Sequence, residues 1–86
     1  MDEQTPRRFV LRMPSLELTG TINASIWHAT KGTEVIEGDR LLEVCAGEVV
    51  IDLPSPASGM LIRRLVREDD LVEVGQELAI IECGPC

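Results

Sequence analysis

Three observations predict an all-β domain. Short aliphatic runs alternate with turn residues, no segment keeps a helical period across ten residues, and part of the chain repeats at an offset of 37 residues. A half that cannot bury its own apolar face needs a partner. The repeat therefore implies two sheets packed together about an approximate two-fold axis.

Residues 1–8 are polar, contain Pro6 and lack periodicity, which predicts a disordered leader, with the folded part starting near Phe9. The runs "FVLRMP" (9–14), "TINASIWHA" (21–29), "RLLEVCA" (40–46), "EVVIDLP" (48–54), "GMLIRRLV" (59–66) and "LAIIEC" (78–83) then read as strands. Between them, "KGTE", "EGD", "AGE", "PSPASG", "REDD" and "VGQ" supply turn chemistry. In the fourth run Val49, Ile51 and Leu53 alternate with Val50 and Asp52, a period of two that builds one apolar row.

The repeat is seen by laying "VIEGDRLLEV" (35–44) over "VEVGQELAII" (72–81). Val35 meets Val72, Gly38 meets Gly75, Leu41 meets Leu78 and Val44 meets Ile81. Just ahead of these, Gly32 meets Asp69, each opening a turn before its valine.

A chain of 86 residues makes one small domain. Its formal charge of −7 repels a phosphate backbone, and Arg63, Arg64 and Arg67, flanked by "EDD", read as a solvated strand end rather than a nucleic-acid patch. No apolar run approaches the ~20 residues of a membrane span, and residues 1–10 lack the apolar core of a signal peptide. The expectation is a cytoplasmic monomer that binds neither nucleic acid nor membrane. An odd count of three cysteines then reads as reduced thiols.

"MPSL" (13–16), "GTI" (20–22) followed by Trp27, "GTEVIEGDRLLEV" (32–44), "PSPASGML" (54–61) and "VEVGQELAII" (72–81) resemble, in order and spacing, the biotinyl/lipoyl carrier-domain family. Its members are the swinging-arm domains of 2-oxo acid dehydrogenase complexes and biotin-dependent carboxylases. The resemblance covers 9–82. It implies a flattened barrel, a sandwich of two four-stranded antiparallel sheets with pseudo-two-fold symmetry, and it makes "MPSL" part of the first strand. Departures fall at Thr33, which replaces an Asp, at Asp69, which replaces a turn glycine, and at Arg64, which replaces an aliphatic residue.

The family's modified lysine lies in "E-x-D-K-A" or "E-x-M-K" at a hairpin tip. Those positions fall here on Cys45, Ala46, Gly47 and Glu48, so a glutamate stands where the lysine belongs. An amide to biotin or lipoate requires an amine nucleophile, which a carboxylate cannot replace. Lys31, seventeen positions upstream, is the one lysine of the chain. Gly47 nevertheless suits a tight turn, so the hairpin is expected to form.

The C-terminal "CGPC" (83–86) is a Cys-x-x-Cys pair without a following helix, and it reads as a frayed, reduced tail. A thiol redox or zinc role for Cys83 and Cys86 is the alternative. The repeat argues against Cys45 as a third ligand, because it maps Gly47 onto Gly84 and so places the tail at the symmetry-equivalent end of the barrel. His28 has no triad partner in sequence, Glu34, Glu37 and Asp39 read as turn and surface charges, and Trp27 is expected to pack on the core.

The expected function is that of a non-catalytic biotinyl/lipoyl-like module without attached cofactor. It would bind a protein partner such as a multienzyme-complex component, through the hairpin residues Ala46, Gly47, Glu48 and Val49 and the "PSPASG" loop. The carrier alternative predicts covalent lipoate or biotin.

Overall fold

A computed structural model describes residues 6–84 of the chain. The expected architecture is present: among the described residues eight strands form two four-stranded antiparallel sheets and there is no helix. The strands are β1 (Arg7–Arg12), β2 (Ile22–Trp27), β3 (Glu34–Val35), β4 (Arg40–Ala46), β5 (Val49–Pro54), β6 (Gly59–Arg64), β7 (Leu71–Val72) and β8 (Glu77–Cys83). One sheet has the order β1-β8-β6-β3 and the other β5-β4-β2-β7.

The two sheets are copies of one another. β6, β7 and β8 repeat β2, β3 and β4 at an offset of 37 residues, with equal strand lengths. β1 plays for β8 the part that β5 plays for β4, at an offset of 42 and with the same alternation of exposed and buried positions. Even the irregularities recur. The bulge between Ala24 and Ile26 of β2 reappears between Leu61 and Arg63 of β6.

Turns follow the same rule. Asp39 Oδ2 accepts from the Ile36 amide at 2.9 Å, and Gln76 Oε1 accepts from the Glu73 amide at 2.9 Å. Gly32 and Asp69 both take positive φ, 92° and 78°. Asp is among the few non-glycine residues that tolerate this region, which is how a turn can survive the exchange.

The core lies between the sheets. Leu41, Leu42, Val44, Leu61, Leu78 and Ile81 are wholly buried, and Trp27 and Phe9 pack against them from the edge. Adjacent Leu41 and Leu42 both point inward because β4 carries a register shift against β5 between Arg40 and Leu42.

Two expectations need correction. The first described strand begins at Arg7, not Phe9, because the ladder with β8 continues outward: Arg7 pairs with Cys83, Arg8 with Glu82, and the Arg8 guanidinium meets the Glu82 carboxylate at 3.1 Å. "MPSL" follows the first strand instead of forming it, since only Met13 among these residues enters the core. Residues 1–5 of the expected leader lie outside the described residues. Among the described residues no helix is long and apolar enough to cross a membrane.

Candidate functional site

β4 and β5 form the longest hairpin, and its tip is built as the sequence predicts. Ala46 pairs with Val49, leaving Gly47 and Glu48 as a two-residue turn. Gly47 has φ +63°, while Glu48 stays out of the positive-φ region. Positive φ at the first loop residue is the II′ pattern, which matches the right-handed twist of the strands on either side. Glu48 is exposed, and so are the two valines that follow it, Val49 and Val50.

What stands beside the tip differs from expectation. β5 runs away from the tip, so Pro54 and the "PSPASG" loop lie at the base of the hairpin, where Pro54 pairs with Arg40 and the Ser55 amide donates to the Asp39 carbonyl. At about 3.3 Å per residue, the six steps from Arg40 to Ala46 separate that loop from the tip by roughly 20 Å. The tip end of the sheet is shared instead by Asn23, which pairs with both Cys45 and Leu71. Leu71 is exposed and borders an apolar groove with Leu16, Leu18, Ile22 and Val74.

Lys31 sits in the turn between β2 and β3. Its neighbours Thr30 and Thr33 line a depression together with Asp39 and Arg40, which puts the lysine at the base end of the hairpin as well.

Of the other sequence candidates, Cys83 is the last residue of β8, in the sheet that does not contain Cys45, and both thiols are half-buried. Cys83 is thus held in a ladder rather than in a frayed tail, because β1 extends to pair with it. Cys86 lies outside the described residues. Asp39 caps a turn, as expected of a turn charge.

His28 is exposed, and its ring has partners that lie far from it in sequence. Its Nε2 lies 2.9 Å from Asp52 Oδ1, and the Arg40 guanidinium approaches Asp52 Oδ2 at 3.4 Å. The hydrogen bond to the imidazole, aided by the guanidinium, holds the Asp52 carboxyl below its ordinary value, against the opposing effect of desolvation. Glu43 completes a group in which one ligand atom each from His28, Glu43 and Asp52 lies within 4.8 Å of the others.

Comparison with known proteins agrees with this geometry. The biotin/lipoyl family model, described as biotin-requiring enzyme, matches residues 10–81. The chain is 37% identical over 76 residues, 85% of its length, to the dihydrolipoyllysine-residue acetyltransferase component of the pyruvate dehydrogenase complex of Corynebacterium glutamicum, of which it covers 11%. It is 31% identical over 75 residues, 86% of its length, to the dihydrolipoyllysine-residue succinyltransferase component of the 2-oxoglutarate dehydrogenase complex of Bartonella vinsonii subsp. berkhoffii, covering 18% of that protein. It is likewise 31% identical over 77 residues, 86% of its length, to the dihydrolipoyllysine-residue acetyltransferase component of the acetoin cleaving system of Pseudomonas putida, covering 20%. The chain therefore spans a fifth or less of the length of these curated relatives. With the matched segment, the two repeated sheets and the protruding hairpin together, the chain belongs to the biotinyl/lipoyl carrier-domain family.

Proposed function

We propose that this domain acts by contact, as a protein-binding module of the carrier fold that receives no prosthetic arm at its hairpin. The observation that carries this reading is the tip itself, Gly47-Glu48, in an otherwise well-formed two-residue turn. The family normally holds lipoate or biotin as an amide of a lysine. The tip offers a glycine and a carboxylate, so these residues do not fit the group, and no acyl chemistry is derived through it. Lys31 is no substitute. It lies at the other end of the hairpin stem, in a turn of different shape, and a ligase acts on an amine that is correctly presented.

The relatives are components of multienzyme complexes, which supports a protein partner of that kind. The contact surface is the tip with its two exposed valines and Leu71 at the same end of the sheet, an apolar patch beside a negative charge. Such a patch fits a partner that presents apolar side chains flanked by Lys or Arg.

Intact-mass measurement after co-expression with a lipoate ligase and, separately, a biotin ligase tests the reading. The expected result is an unmodified mass for the natural chain and a modified mass for Glu48→Lys with one of the ligases. A lipoyl or biotinyl increment on the natural chain overturns it.

A further inference from the structure

The internal symmetry supplies a control for every position. Glu43, Asp52 and His28 correspond in the other sheet to Ile80, Val10 and Leu65. The backbone confirms the correspondence: Glu43 pairs with Asp52 as Ile80 pairs with Val10, and the His28 amide donates to Leu41 as the Leu65 amide donates to Leu78. One copy of the scaffold thus fills these three outward positions with aliphatic side chains. The other gathers an imidazole and two carboxylates.

That exchange carries an electrostatic cost. Glu43 and Asp52 are directly opposite on neighbouring strands, and like charges so placed repel. Asp52 is compensated by His28 and Arg40. Glu43 carries no ion pair or side-chain hydrogen bond among the described residues. A cation placed between the three groups relieves the repulsion and gives the Glu43 carboxylate a partner.

We propose that His28, Glu43 and Asp52 form a binding site for a divalent transition-metal ion of the zinc type on the outer face of the β4–β5 hairpin. The three ligand atoms lie within 4.8 Å of one another, close enough for small side-chain rotations to bring them to the ~2.0–2.2 Å at which zinc holds nitrogen and oxygen. One imidazole and two carboxylates suit a borderline ion, and the partly exposed position leaves water to complete the coordination shell. Arg40, bound to the outer oxygen of Asp52, orients that carboxylate from behind. The site is independent of the tip and of any prosthetic group.

The chain has a single histidine, so its ring signals in NMR belong to His28 alone. The test is titration of the full chain with zinc chloride at pH 7.5, followed by those signals and by calorimetry, with all three cysteines replaced by serine so that thiols cannot bind the ion. The expected result is saturable binding of one ion with a displaced His28 ring signal. His28→Leu and Glu43→Ile, which install the other sheet's residues, should each weaken binding by tenfold or more. The milder His28→Gln and Glu43→Gln should do the same if either larger change disturbs folding. Zinc binding that leaves the ring signal unmoved, binding unaffected by these variants, or no binding at millimolar zinc each overturns the proposal.

Discussion

Trp27 and Arg64 occupy equivalent positions in the two halves and reach across the pseudo-two-fold axis to equivalent carbonyls. Trp27 Nε1 donates to the Val66 carbonyl at 3.0 Å, and Arg64 Nη1 approaches the Ala29 carbonyl at 3.5 Å. The Arg64 guanidinium also lies over the indole, 5.5 Å from its centroid. The second bond is at the edge of useful geometry, so the two arms should differ in strength. Trp27→Ala is expected to cost about 3 kcal/mol, from a half-buried indole and its bond. Arg64→Ala should cost less than about 1 kcal/mol. Urea unfolding midpoints of the two variants check the ranking.

Leu41 and Leu78 are a second symmetric pair, both wholly buried in one core. Leu→Ala at either site removes the same side chain and leaves a cavity, which should cost about 3 kcal/mol in each case. Equal losses in chemical denaturation are expected if the two halves pack alike. A difference above about 1.5 kcal/mol would show that one half dominates the core.

The turn pair Gly32 and Asp69 tests the backbone. Gly32→Ala places a side chain at φ +92° and should destabilise by about 1 kcal/mol. Asp69→Gly should be neutral or stabilising by up to about 1 kcal/mol, since it relieves the left-handed strain at some cost in unfolded-chain entropy. Thermal melts of both variants give the signs.

Asp52 links stability to pH. Its folded pKa is depressed by His28 and Arg40 below the ordinary 3.8. The contribution is therefore fully present above that value and is lost as pH falls through the lower folded pKa. Asp52→Asn should lose stability at neutral pH and show a shallower fall of the urea midpoint between pH 5 and pH 2.5 than the natural chain. Measurements in EDTA keep metal out of the comparison. An unchanged acid slope would mean that the His28–Asp52 contact does not persist in solution.

Period-two alternation, close-spaced turns and the repeat were enough to determine an all-β sandwich, the equivalence of Gly32 with Asp69, and a hairpin turning at Gly47-Glu48, because these depend on local propensity and on spacing along the chain. The same hairpin register places Glu43 opposite Asp52 once the turn is known, so that part of the charged group was legible in principle. His28 was not. The bulge after Ala24 shifts the alternation of β2, turning Ala24 and Trp27 inward and leaving His28 on the outer face with the two carboxylates. Strict alternation from Ala24 sends His28 to the core. Only the tertiary structure decided that meeting, and it also decided that β1 extends to Arg7 and that the "PSPASG" loop lies far from the tip, because each depends on how one strand lies along another.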